Sequence, residues 1–201
     1  MDAVSLGIGL VAIAMATPAA ADPIGRWQPL ITQASQRFGV PESWIIRVMR
    51  AESAGETELG GHPIRSRAGA MGLMQLMPST WATMRAAYRL GGDPDDPHDN
   101  IIAGTAYLRL LYDRFGYPGL FAAYNAGPTR YADYLAGRGR LPGETIAYLG
   151  SVAGTGNAAR MTPVTPPRQL LFALRHDLAG VPESAVVAPG ERGLFALRKG
   201  Q

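Results

Sequence analysis

A chain of 201 residues, 47% of them hydrophobic, is long enough for one globular domain with additional segments. It contains no cysteine, which excludes disulfides, a thiolate zinc site and a cysteine nucleophile, and its three scattered histidines argue against a histidine-based metal site. The net charge of +3 is too small to indicate nucleic-acid binding by itself. We therefore expect no metal, no cofactor and no nucleic-acid partner.

The first predicted element is a secretory signal. Residues 3–21 are small and apolar and end in three alanines, a pattern that predicts cleavage before Asp22. The positive charge usual at the start of a signal is missing. An uncleaved membrane anchor is the alternative, although Pro18 interrupts the run. We expect residues 1–21 to be a signal peptide and the protein to be periplasmic.

Two predicted helices follow. Apolar spacing over residues 24–38 predicts a helix that Gly39 ends, and Pro41, whose φ suits a first helical turn, predicts the start of the next.

The second of these helices carries a glutamate at the end of its apolar stripe. Ile45, Val48, Met49 and Glu52 lie at i, i+3, i+4 and i+7, which places them on one helical face. Burial disfavours the ionised form of a carboxyl group and so can make it a general acid near neutral pH. The alternative is a glutamate that turns to solvent, because Gly55 is expected to end the helix nearby.

A polar, glycine-rich stretch over residues 55–69 predicts a loop, and an apolar segment with one amide follows it. Gln75 lies among leucines and methionines in residues 73–77, so its amide must find a partner if it is buried. That partner could be a group of the core or a sugar. Pro78 predicts the start of a helix that runs to about Leu90.

An acidic turn at residues 93–100 precedes the next predicted helix. We expect Asp99 to be its N-cap, with a buried stripe over residues 101–115. A calcium loop is the alternative, but the spacing of the acids lacks the required pattern and two prolines interrupt it.

Polar side chains recur at the ends of the last predicted helices. Tyr124 and Asn125 stand where Gly127 stops a helix, and Asn125 either caps a turn or forms a polar lip on a pocket. A short helix is expected over residues 129–136. Glu144 opens the final helix, where a negative charge suits the positive N-terminus.

The composition changes after about residue 155. Residues 155–201 are rich in proline and glycine and basic, and Leu-Phe-Ala-Leu-Arg occurs at both 171–175 and 194–198. We expect a largely irregular, flexible tail with two docking segments for a partner; coincidence in a Leu/Ala/Arg-rich chain is the alternative.

Five segments in order resemble the signature blocks of the soluble lytic transglycosylase (family 1) catalytic domain. They are Ala51-Glu52-Ser53, Gly72-Leu73-Met74-Gln75-Leu76-Met77-Pro78, Asp96-Pro97-x-x-Asn100-Ile101-x-x-Gly104-x-x-Tyr107-Leu108, Ala122-Ala123-Tyr124-Asn125-Ala126-Gly127 and Glu144-Thr145-x-x-Tyr148. The resemblance implies an all-α, lysozyme-like domain over residues 22–154, acting on peptidoglycan glycan strands. The loop between Glu52 and Gln75 is longer than in familiar members by about five residues, within 55–67. A looser likeness is to the transglycosylases of conjugation and secretion systems, whose envelope proteins would be partners of the tail.

The resemblance also implies the roles of individual residues. Glu52 matches the catalytic acid, and the matches to substrate-binding positions are Ser66, Gln75, Met77, Tyr124, Asn125, Glu144 and Tyr148.

The expected reaction needs only one carboxyl group. No convincing second acid accompanies Glu52, whereas ordinary glycosidases use two. Glu52 would protonate the leaving oxygen between N-acetylmuramic acid and N-acetylglucosamine, then take the proton of the muramoyl C6 hydroxyl as it closes on C1. The product is a 1,6-anhydro sugar. The alternatives are a hydrolase like goose-type lysozyme and a non-catalytic peptidoglycan-binding assembly factor.

Overall fold

A computed structural model describes residues 22–153. The described chain is a sequence of helices broken by one small hairpin. After a 3-10 turn at Gly25–Trp27, its elements are α1 (Gln28–Phe38), α2 (Glu42–Ser53), β1 (Glu58–Leu59), β2 (His62–Pro63), α3 (Pro78–Tyr88), α4 (Pro97–Phe115), α5 (Gly119–Ala126), α6 (Pro128–Leu135) and α7 (Gly143–Val152). Each predicted helix is present, with ends within a few residues of those expected.

Prolines and a glycine set several of these helix ends. Gly39 follows α1 with φ 64°, in the left-handed region that ends helices, and Pro41 precedes the first residue of α2. Pro78 and Pro97 are the first residues of α3 and α4, where the missing N–H costs no hydrogen bond.

Helix α4 forms the centre of the fold. Its residues Asn100–Ala106 are all buried, and it packs against α1, α3 and α5. Helix α7 in turn contacts both α2 and α5. Trp44 anchors α2 in this core, with its ring 5.6 Å from that of Phe121 on α5. These contacts place α2 beside α7 and, through Trp44, beside α5.

Two local expectations are corrected. Asp96, not Asp99, is the N-cap of α4: Pro97 takes the first helical position, so the Asp96 carboxylate accepts the N–H of Asp99 at 2.8 Å. The Asp99 carboxylate accepts the Gly91 N–H at 2.6 Å instead. Residues 55–69 are also not wholly a loop.

That stretch contains an antiparallel hairpin, in which Leu59 pairs with His62. The turn is made by Gly60 and Gly61 with φ of 62° and 79°. Two successive positive φ values match the twist of a tight two-residue hairpin, and glycine adopts them without steric cost.

No helix between residues 22 and 153 is long and apolar enough to cross a membrane. The predicted signal at 1–21 and the tail at 155–201, with its repeated pentapeptide, lie outside the described residues.

Candidate active site

Glu52 ends an apolar face of α2, as its spacing predicts. Ile45, Val48 and Met49 on that face have no exposed surface, and Glu52 itself is half-buried. Removal from water disfavours the ionised carboxylate, and this burial raises the pKa of Glu52 from 4.5 to about 7. A carboxyl group with such a pKa is protonated in much of the population near neutral pH and can donate its proton.

Two tyrosines from other helices face this carboxyl group. The Tyr148 hydroxyl on α7 stabilises the ionised form and so partly offsets the effect of burial on the pKa of Glu52. This contact falls short of a well-formed hydrogen bond, since the buried Tyr148 oxygen lacks a partner of good geometry within residues 22–153. Burial and the nearby Glu52 both raise the pKa values of Tyr148 and of Tyr124 on α5, so both hydroxyls stay neutral.

The turn over residues 71–76 forms a second side of the site. Met71 and Leu76 exchange two backbone hydrogen bonds, of 2.9 and 3.0 Å. The buried Asn100 side chain holds the turn from α4: its oxygen accepts the Met74 N–H at 2.7 Å, and its nitrogen donates to Met71 O at 3.1 Å and to Pro94 O at 2.9 Å. The turn lies so close that a Cβ on Gly72 would come within 2.3 Å of the Asn100 nitrogen.

Gln75 lies at the tip of this turn in a strained conformation. Its φ is 44°, uncommon for a residue with a side chain, and strain of this kind clusters at functional sites. Its amide nitrogen donates to Gly72 O at 2.8 Å. The side chain is half-buried, and its amide oxygen has no contact with a donor in residues 22–153, so it can accept one from a ligand.

Tyr124 and Asn125 are held by neighbouring elements. The Tyr124 hydroxyl donates to Met74 O at 2.6 Å, which ties α5 to the turn. The Asn125 oxygen accepts from the buried Thr145 hydroxyl of α7 at 2.7 Å, leaving its NH2 group to donate. The Tyr124 proton is therefore committed to the protein, whereas Asn125 keeps a donor for a ligand.

The other predicted site residues lie nearer the surface. Met77 precedes α3 and is 43% exposed, a high value for a methionine. Glu144 is exposed in the first turn of α7, at the end of the helix where it was expected. Ser66 is exposed and closes a tight turn in which its hydroxyl accepts the Ala70 N–H at 3.0 Å.

One group of possible metal ligands occurs in residues 22–153. Ligand atoms of Asp96, His98 and Asp99 lie within 4.8 Å of one another. Asp96 and Asp99 already accept the backbone bonds that cap α4 and hold Gly91, so the cluster has a structural explanation.

Sequence reasoning assigned no role to three buried polar residues that build the site. Asn100 holds the turn, Thr145 orients Asn125, and the Ser53 hydroxyl donates to Leu73 O at 2.8 Å. Each lies inside a quoted signature block. The usable signal was that a polar side chain in an apolar helical stretch needs a partner.

The chain is similar in sequence to known proteins. The model of the transglycosylase SLT domain matches residues 29–146. The chain is 36% identical over 121 residues to the soluble lytic murein transglycosylase of Escherichia coli K12, covering 56% of this chain and 18% of that protein. It is 35% identical over 122 residues to the membrane-bound lytic murein transglycosylase C of Photorhabdus laumondii, covering 57% and 31%.

The chain is also similar in fold to solved structures of lytic transglycosylases. The lytic transglycosylase Slt of Pseudomonas aeruginosa, solved as an inactive mutant, superposes with a TM-score of 0.56 at 25% identity, covering 83% of this chain and 26% of that one. The 70-kDa soluble lytic transglycosylase of Escherichia coli gives 0.51 at 26% identity, covering 81% and 26%. The expected all-α, lysozyme-like fold is confirmed. The chain spans less than a third of the length of each of these relatives.

Proposed function

The chain belongs to the transglycosylase SLT domain family, and from this premise we propose that it is a lytic transglycosylase of peptidoglycan. The substrate is the β-1,4 bond between N-acetylmuramic acid and N-acetylglucosamine in glycan strands. The observation that carries the proposal is the half-buried Glu52, whose pKa of about 7 suits proton donation near neutral pH.

The surroundings of Glu52 support a mechanism with one acid. Burial raises its pKa, the Tyr148 hydroxyl partly offsets that rise, and no other carboxylate is among the causes. Other acids near it in sequence are engaged elsewhere or exposed: Glu56 pairs with Arg26 at 2.7 Å, and Glu58 lies on the exposed hairpin. Hydrolases of the ordinary retaining kind need a second carboxylate about 5–5.5 Å away.

With one acid, the attacking oxygen comes from the substrate. Protonated Glu52 donates to the glycosidic oxygen as the bond from that oxygen to C1 breaks, and N-acetylglucosamine leaves as an alcohol. The acetamido carbonyl of the muramoyl sugar steadies the positive charge at C1. The C6 hydroxyl then bonds to C1 and returns its proton to the Glu52 carboxylate, so a 1,6-anhydro sugar forms and no water is consumed.

The remaining site residues are proposed to hold the sugars. The free amide oxygen of Gln75 and the free NH2 of Asn125 suit hydroxyl and acetamido groups. The exposed Met77 suits the apolar face of a sugar ring. Tyr124 orients the turn that carries Gln75 and can still accept a hydrogen bond, while Tyr148 steadies the ionised Glu52 between the two steps.

Ser66 and Glu144 are proposed as further sugar contacts, on the exposed surface around the site. The Ser66 hydroxyl accepts one backbone bond and keeps its proton for a sugar, and Glu144 is exposed at the start of α7.

The product distinguishes the candidate reactions. Purified protein is incubated with cell-wall sacculi, and the masses of the released soluble muropeptides are measured by mass spectrometry. Anhydro products, one water lighter than hydrolysed ones, support the proposal. Hydrolysed products indicate a hydrolase like goose-type lysozyme, and binding without cleavage indicates an assembly factor.

A matched pair of variants tests the acid. Glu52→Gln should abolish turnover and keep binding to sacculi, because the amide has a similar shape and no proton to donate. Glu42→Gln, at the other end of α2 where it accepts from Gln28, should retain activity. Substantial turnover by Glu52→Gln would assign the acid elsewhere.

We also propose the wider organisation expected from the sequence: a signal at 1–21, a periplasmic catalytic domain at 22–154, and a tail at 155–201 that binds envelope proteins of a conjugation or secretion apparatus. Deleting 156–201 should preserve cleavage of sacculi and weaken such binding. Loss of cleavage on that deletion would contradict this division.

A further inference from the structure

Residues 22–27, here called the N-terminal strap, pack against the end of α2 just beyond Glu52. The Gly55 carbonyl accepts two side-chain hydrogen bonds from the strap, one from the Trp27 indole N–H at 2.8 Å and one from Arg26 Nη2 at 2.7 Å. The same Arg26 nitrogen lies 2.7 Å from a Glu56 carboxylate oxygen. These two donors use both lone pairs of the carbonyl oxygen.

The strap also fits closely around this end of the helix. Ile24 is buried with 2% exposure, and a Cβ on Gly55 would come within 2.8 Å of the Ile24 side chain. On the outer surface Asp22 pairs with Arg50 at 2.8 Å. The contacts of the strap described here therefore fall on residues 50–56, the segment that contains Glu52.

This end of α2 needs outside support. The helix is followed by Ala54 with φ 55°, a left-handed conformation that is unfavourable for a residue with a Cβ. The Ala54 N–H bond back to Arg50 O is 3.2 Å long. A non-glycine residue persists in this conformation only where the surrounding structure holds it.

A chain of hydrogen bonds links the strap to the other side of the site. The Gly55 N–H donates to the Ser53 hydroxyl at 3.1 Å, and that hydroxyl donates to Leu73 O in the turn at 2.8 Å. The peptide units on the C-terminal side of Glu52 are thus held between the strap and the turn that carries Gln75.

We propose that Trp27 and Arg26 are positioning residues for Glu52. By holding the Gly55 carbonyl, they keep the last turn of α2 formed. They thereby keep the Glu52 carboxyl group in its partly buried position, facing Tyr148 of α7 and Tyr124 of α5. The inference rests on the proposed role of Glu52 as the acid. It adds that the position of this acid depends on a segment whose hydrogen bonds go to Gly55, Glu56 and Arg50 and not to the carboxyl group itself.

Trp27→Phe tests the inference, since it removes the N–H donor and keeps an aromatic ring. Losing one hydrogen bond to a buried carbonyl should lower kcat about threefold to tenfold while KM stays unchanged. The titration of Glu52, followed by NMR of carboxyl-labelled glutamate, should move down from about 7 toward 4.5 as water reaches the loosened helix end.

A second pair of variants and a control complete the experiment. Arg26→Met should act in the same direction, and Arg26→Lys should restore both kcat and the titration because it keeps a charged donor. Gln28→Leu removes the bond to Glu42 at the opposite end of α2, 2.7 Å long, and should change neither. If circular dichroism shows that Trp27→Phe does not fold, the Arg26 variants test the positioning role by themselves, because the Arg26 side chain is exposed.

The two readouts separate this inference from the proposed function. Unchanged titration of Glu52 in Trp27→Phe and Arg26→Met overturns the positioning role, even if kcat falls. The titration needs no turnover, so an absence of anhydro products from the unaltered protein would refute the proposed function without affecting that measurement.

Discussion

Replacing Glu52 by Gln should stabilise the fold at alkaline pH, although it abolishes the proposed activity. The pKa of this carboxyl group is raised from 4.5 to about 7 because folding removes it from water. Between these two values the folded state binds more protons than the unfolded state. The contribution of Glu52 to the free energy of unfolding is therefore fully present below about pH 4.5, and it is lost as the pH rises through about 7.

The pKa values set the size of the effect. Above the folded-state pKa, the unaltered protein folds with an ionised carboxylate in a poorly hydrated position, at a cost of about 3 kcal/mol. The neutral amide of Glu52→Gln does not carry this cost. The pKa of about 7 already includes the effect of Tyr148, so the loss of that contact in Glu52→Gln does not change the expected value of about 3 kcal/mol further.

The assay is urea unfolding of both proteins at about pH 4 and about pH 9. The free energy of unfolding of Glu52→Gln, relative to that of the unaltered protein, should be about 3 kcal/mol larger at the higher pH than at the lower. Glu58→Gln on the exposed hairpin corrects for the loss of one negative charge. An equal difference at both pH values would mean that Glu52 is well hydrated, and would refute the argument for a buried acid.

Tyr148→Phe removes a hydroxyl that stabilises the Glu52 carboxylate, so the pKa of Glu52 should rise and the alkaline limb of the pH–activity profile should move to higher pH. A shift of that limb to lower pH would contradict the assignment. Gly72→Ala should lower the free energy of unfolding far more than Gly60→Ala. Both glycines have positive φ, of 70° and 62°, but only at Gly72 would the new Cβ meet a neighbour, 2.3 Å from the Asn100 nitrogen. Similar losses in the two variants, measured by urea unfolding, would show that backbone strain and not this contact requires glycine at position 72.

The helices and the identity of the buried glutamate followed from local patterns. The spacing of Ile45, Val48, Met49 and Glu52 predicted a common face, and the first three are fully buried. Such a pattern is readable because helical geometry places i, i+3, i+4 and i+7 together whatever the rest of the chain does. The one misplaced cap, Asp99, shows the limit of this reading: two acids three residues apart both suit a helix start, and Pro97 decided between them.

The roles of polar residues depended on contacts that local patterns do not encode. Tyr124 is predicted to contact a sugar. Its proton is donated to Met74 O, a carbonyl 50 residues earlier in the chain, so the predicted contact would use its oxygen as an acceptor. Whether a hydroxyl serves a ligand or the protein depends on which acceptor the fold brings within about 3 Å. The hairpin in residues 55–69 could not be predicted, because strands of two residues are too short to show an alternation of apolar and polar side chains.

Sequence alone determined that this chain is helical, which carboxyl group lies on an apolar face, and which family it resembles, since each depends on residue types at short or ordered spacings. Tertiary structure decided how far that carboxyl group is shielded from water, which tyrosines face it, and which residues hold the end of its helix. Those properties arise where α2, α5, α7 and the strap meet, and residues up to 96 positions apart, such as Glu52 and Tyr148, acquire their chemistry only from that proximity.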